Sequence, residues 1–108
     1  MGVTKTENFT KSQNQLATLA KALGHPARVA ILEKLLKIDR CICGDLVSEL
    51  PLSQATVSQH LRALKDVGLI KGNIEGTSVC YCIDRDKWRE TQSLLNAMFD
   101  TFNQSSCC

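Results

Sequence analysis

The stretch from Pro51 to Ile83 restricts the possible folds of this chain more than any other. Pro51 stops whatever helix precedes it, and Ser53 is a natural N-cap for the next. Val57, Leu61 and Leu64 then recur at i, i+4 and i+7, which predicts a helix with one apolar face, and Gly68 supplies its C-terminal stop. Leu69 to Ile74 reads as a strand, Glu75-Gly76 as a tight turn, and Thr77 to Ile83 as the return strand of a hairpin. A short polar-faced helix followed directly by a hairpin is the reading half of a helix-turn-helix with a wing.

The rest of the chain supplies the frame. Leu16, Leu19, Ala20 and Leu23 form a helical stripe that ends at Gly24. Pro26 fits the first turn of a second helix whose buried face is Ile31, Leu32, Leu35 and Leu36, with residues 37–40 a charged connection. Cys41-Ile42-Cys43, bounded by Gly44, suits a brief strand. Asp45 then caps a short helix carrying Leu46, Val47 and Leu50. Trp88, Thr91, Leu95, Met98, Phe99 and Phe102 fall on one side of a last amphipathic helix. The expected architecture is mainly α with a small β-hairpin wing, a winged helix-turn-helix working as a homodimer. Residues 1–11 are read as an N-terminal tail, 12–103 as the folded domain and 104–108 as a cysteine-bearing tail.

On the exposed side of the reading helix, short polar and amide side chains suit base edges and phosphates in a major groove. Ser53, Gln54, Thr56, Ser58, Gln59, His60 and Arg62 are candidates for that role, with Lys65 and Lys71 for phosphate and Asn73 and Thr77 at the wing. His60 is equally suited to a structural role. The net charge is only +2, but residues 1–40 carry seven Lys/Arg against three acids. That is too little for a non-specific DNA coat and enough for a dimer with a few placed cations.

Six cysteines in 108 residues fall in three pairs, Cys41/Cys43, Cys80/Cys82 and Cys107/Cys108. Met1 to Gln15 is polar, without the apolar segment of a secretion signal, so a cytoplasmic location is expected and the thiols are read as ion-binding or redox-active. Nothing approaches the roughly 18 apolar residues of a membrane helix. In an extended segment Cys41 and Cys43 point to the same side, about 6–7 Å apart at Cα, and are the first-choice ligands. Cys80 and Cys82 share the face of the return strand opposite Val79, Tyr81 and Ile83, and the terminal Cys107 and Cys108 are further possible ligands. An all-thiol set favours soft ions. No Cys-x-x-Cys in a βαβ setting, base or cofactor motif points to an enzyme, and no permanent cofactor is expected.

The chain resembles the ArsR family of metal-responsive repressors. The matching residues are Leu23-Gly24-His25-Pro26-Ala27-Arg28-Val29-Ala30-Ile31-Leu32, Cys41-Ile42-Cys43-Gly44-Asp45-Leu46, Gln54-Ala55-Thr56-Val57-Ser58-Gln59-His60-Leu61, Leu64-Lys65 and Gly68-Leu69-Ile70, over about residues 15–102. The resemblance implies a symmetric dimer built from the first and last helices, here Leu16, Leu19, Trp88, Leu95, Phe99 and Phe102. It also implies double-stranded operator DNA as partner and release by an ion or other inducer; the all-thiol set makes that As(III) or Sb(III) first, with Cd(II) or Pb(II) as alternatives, and the thiol pairs leave disulfide-based redox sensing as a separate reading. The Cys-x-Cys is followed here by Gly44 rather than directly by Asp-Leu and a third cysteine. A third thiolate would have to come from elsewhere; the strand pairing usual in winged helices would bring in Cys80 and Cys82.

Overall fold

A computed structural model describes residues 6–44, 50–74 and 79–102. After a 3-10 turn at Thr6–Asn8 come helices α1 (Lys11–Leu23) and α2 (Pro26–Ile38), strand β1 (Ile42–Cys43), helix α3 (Gln54–Asp66), strands β2 (Ile70–Asn73) and β3 (Cys80–Ile83), and helix α4 (Arg85–Asp100). The expected Asp45–Glu49 helix segment, the Glu75-Gly76 turn, Thr77 and the Cys107/Cys108 pair lie outside the described residues.

Local chemistry sets the helix ends. Thr10 and Gln13 form a reciprocal capping box at the start of α1, so the helix begins inside the segment read as a tail. Pro26 occupies the first turn of α2, where its missing N–H costs nothing, and the His25 ring accepts from Ala27 N at 3.0 Å as the cap. That helix runs on through Lys37 and Ile38, beyond the expected boundary, and ends on Asp39 in the left-handed region. Ser53 caps α3 by accepting from Thr56 N. Gly68, at φ +85°, closes the turn after it, and its N–H donates to Lys65 O while that of Leu69 donates to Leu64 O. Asp84 caps α4 through Lys87 N.

The apolar stripes converge on one core. Leu19, Ile31, Leu32, Leu35, Val57, Leu61, Leu64, Leu69, Ile70 and Tyr81 are buried in it, with Leu50, Leu52 and Trp88 packed against its margin. Two assignments change. Leu19 is 2 % exposed and belongs to this core, where a dimer contact was expected, because the stripe of α1 must first cover its own protomer. Leu36, expected in the buried face of α2, is 41 % exposed.

The strands form an antiparallel sheet in the order β1-β3-β2. Each β2 strand position has a partner on β3: Ile70 opposite Ile83, Lys71 opposite Cys82, Gly72 opposite Tyr81 and Asn73 opposite Cys80. Gly72 sits at φ +121°, and a Cβ there would lie 2.2 Å from Cys80 O, so only glycine lets the two strands close. Helices α1 and α4 pack together, α2 packs on α1, α3 and β3, and α3 also packs on β2. Among the described residues, four helices with this three-stranded sheet have the architecture of a winged helix-turn-helix.

Candidate nucleic-acid interface and thiol switch

The geometry of α3 separates the candidate DNA contacts. Gln54, Gln59, Arg62 and Lys65 are exposed on α3, Gln59 and Arg62 on the face opposite the buried Val57, Leu61 and Leu64 and Gln54 and Lys65 along its edge. Ser53 and Thr56 are joined through their hydroxyls at 3.0 Å and hold the helix start, and Ser58 is half-buried. Asn73 is exposed on β2, while Lys71 lies opposite Cys82 and lines a cleft beside the cysteines.

Of the two roles open to His60, its placement is that of the structural one. It is 8 % exposed, accepts from Arg28 Nε at 3.2 Å, and its ring lies 4.3 Å from that of His25. Burial, and then the neighbouring His25 and Arg28, hold its pKa below the ordinary histidine value. Its role is to lock α3 onto α2. Arg28 completes the lock by donating to Ala22 O at 3.3 Å. Sequence reading missed this role of His25 and Arg28, whose motif marked a helix start without revealing what lay 32 residues away.

The strand register brings four cysteines together. Cys43 stands opposite Cys80, and Cys41 falls beside Cys82, with Cα separations of 4.0 Å and 4.2 Å, and both pairs are disulfide-bonded. Gly44 N–H donates to Val79 O at 2.8 Å, which marks that site as a hydrogen-bonded pair. Cys43/Cys80 is then the adjacent non-hydrogen-bonded site, where cross-strand side chains come closest. Tyr81 and half-buried Ile42 turn the other way, into the core. The cysteine face extends across β2 as two rows, Cys43–Cys80–Asn73 and Cys41–Cys82–Lys71. Cys41 and Cys43 are exposed and Cys80 and Cys82 half-buried.

As disulfides these sulfurs do not fit an ion, since thiolates are the ligand form. Among the described residues no three His, Cys, Asp or Glu are grouped to hold a metal. Reduction would turn the same face into a set of four thiols.

The expected interface residues are distributed unevenly. Trp88 packs against its own core, Leu16 and Leu95 are half-buried, and Phe99 and Phe102 stay 63 % and 75 % exposed. Phe102 lies just past the end of α4. Phe9 and Met98 are also exposed apolar side chains. No described helix is long and apolar enough to cross a membrane.

The family and relatives that this chain matches are transcriptional regulators rather than enzymes. Residues 25–71 match the model of the bacterial regulatory protein arsR family, and the chain belongs to that family. It is 36 % identical over 83 residues to an uncharacterized HTH-type transcriptional regulator of Methanocaldococcus jannaschii, covering 76 % of this chain and 92 % of that one. It is 41 % identical over 63 residues to the HTH-type transcriptional repressor SmtB of Mycobacterium tuberculosis, covering 58 % of this chain and 46 % of the relative. An ArsR-like transcriptional regulator from Rhodococcus sp. RHA1 shares the fold at TM-score 0.66 and 23 % identity, over 85 % of this chain and 86 % of that one.

Proposed function

We propose that the protein is a homodimeric repressor whose grip on operator DNA is set by the chemical state of Cys41, Cys43, Cys80 and Cys82. The observation that carries this is the β1–β3 register, which gathers two sequence-distant cysteine pairs on one face of the sheet whose β2 strand packs on the reading helix. Each α3 enters a major groove through Gln54, Gln59, Arg62 and Lys65, with the two half-sites about one helical turn apart. The exposed Phe99 and Phe102, with Leu16 and Leu95, supply the apolar surface that a second copy would cover. Once reduced, the thiol face takes a thiophilic ion as inducer, arsenite or antimonite first and cadmium or lead as alternatives.

The two disulfides favour a second reading, in which oxidation itself is the signal. Fluorescence anisotropy of the reduced protein on its own promoter DNA, titrated with arsenite, cadmium and diamide, separates the two. Release by arsenite or cadmium supports ion sensing, and release by diamide alone supports redox sensing. The double variant Cys41→Ser/Cys43→Ser is expected to keep DNA binding and lose release. Full induction in that variant would sink the assignment.

A further inference from the structure

A cleft of about 380 Å³ opens beside the Cys41–Cys82 pair, between the end of α2, the sheet and the start of α4. Leu35, Ile83 and Trp88 give it an apolar lining. Its charged lining is Arg40, Lys71, Arg85 and Arg89 against Asp39 alone. Asp39 is taken by Arg85, at 2.7 Å. Arg40, Lys71 and Arg89 have no ion-pair partner among the described residues, so the cleft holds uncompensated positive charge against one wall of sulfur. The two disulfides are therefore unlike. Cys82 has Lys71 directly across the ladder, whereas Cys80 has the uncharged Asn73.

We infer that this cleft docks a low-molecular-weight thiol bearing carboxylates, which opens the Cys41–Cys82 disulfide in preference to Cys43–Cys80. The carboxylates pair with Arg40 and Arg89, and the thiolate attacks Sγ of the exposed Cys41. A new ligand–Cys41 disulfide forms as the Cys41–Cys82 bond breaks. The electron pair leaves on Cys82 Sγ, whose thiolate Lys71 stabilises from the neighbouring strand. A second thiolate then attacks the ligand sulfur of the mixed disulfide and releases Cys41. Two thiols become one disulfide, and the protein gains the two electrons and two protons. The cleft is thus the port through which the switch is reset, and through which the outer pair is freed for an ion.

The test uses the full chain, oxidised with diamide, and three thiols: glutathione as the anionic probe, 2-mercaptoethanol as neutral and cysteamine as cationic. Mass spectrometry after alkylation follows each disulfide at about 20 mM ionic strength. Per thiolate, glutathione is expected to open Cys41–Cys82 about tenfold faster than cysteamine, an advantage that fades in high salt. The Arg40→Gln/Arg89→Gln variant should lose that advantage and keep the 2-mercaptoethanol rate. Equal rates for the three thiols, glutathione acting equally on both disulfides, or failure of the Cys41–Cys82 disulfide to form would each overturn the inference. The inference rests on the four-sulfur switch, but the two fail separately. Operator affinity indifferent to sulfur state removes the switch even if the rates remain ordered by charge.

Discussion

Replacing Gly72 with alanine tests the sheet on which the cysteine constellation depends. The added Cβ would lie 2.2 Å from Cys80 O and 2.8 Å from Tyr81 Cα, both backbone atoms that no side-chain rotation can move aside. The residue also sits at φ +121°, where a side chain costs about 1–3 kcal/mol. Forcing the strands apart adds about 1–3 kcal/mol of overpacking. The two costs share one remedy, a local shift of β2, so they combine to about 3 kcal/mol rather than their full sum. At about 4 °C per kcal/mol for a chain of this size, the melting temperature should fall by roughly 12 °C. Urea unfolding of the reduced protein measures the loss without disulfide effects. The same shift moves Cys80 away from Cys43, so diamide should form the Cys43–Cys80 disulfide more slowly than in the wild type. A loss below about 0.5 kcal/mol with unchanged disulfide formation would refute the claim that strand closure at Gly72 sets the register.

Three further outcomes are expected. Asp39, at φ 56°, combines a left-handed backbone with an exposed ion pair to Arg85, so Asp39→Gly should be near neutral while Asp39→Ala costs about 1 kcal/mol; urea curves placing Gly below Ala would contradict this. Burial, and then His25 and Arg28, lower the pKa of His60, so the unfolded chain binds the proton more readily. Stability is therefore full above the ordinary histidine value of about 6.5 and declines as pH falls from there through the lowered folded value. Unfolding free energies between about pH 7.5 and 5.5 should show this decline in the wild type and a smaller one in His60→Gln. Arg62→Ala should weaken operator binding and flatten the log–log salt dependence by about 0.9 per contact, or about 1.8 per dimer; an unchanged slope in anisotropy titrations would remove Arg62 from the phosphate contacts.

Much of this fold was legible because its signals are local. Pro26, Ser53 and Gly68 mark boundaries through backbone chemistry, and Val57, Leu61 and Leu64 face inward at the spacing the helix imposes. The Thr10 capping box was missed because its polar residues resemble a solvated tail until their reciprocal bonds are seen. Long-range features divide by how far they obey strand alternation. The common face of Cys80 and Cys82 follows from alternation alone, but Cys43 opposite Cys80 depends on register, which a one-residue slip would reverse. Leu19 was misplaced, and the two roles open to His60 could not be separated, because a stripe shows which side of a helix is special without showing what meets it. The cationic cleft had no sequence signal beyond Arg85 and Arg89 at i, i+4, since its residues come from four separate elements.

If the sulfurs form the proposed switch, their position would let it reach α3 without dismantling the domain. The Cys43–Cys80 bond spans 37 residues and the Cys41–Cys82 bond 41, one nested inside the other, and both loops enclose the whole of α3 and β2. In the chain-entropy picture one such loop is worth about 4 kcal/mol, and the cost grows only with the logarithm of length. The second, almost coextensive loop therefore adds little to global stability. Opening the outer pair leaves the inner bond to hold β1 on β3, and β3 is the middle strand, hydrogen-bonded to β2, which packs on α3. What changes is local. Cys41 and the chain leading into it from α2 are freed, and α2 is the helix to which His60 and Arg28 lock the reading helix. A switch built on the outer pair can therefore alter the seating of α3 while the core stays folded.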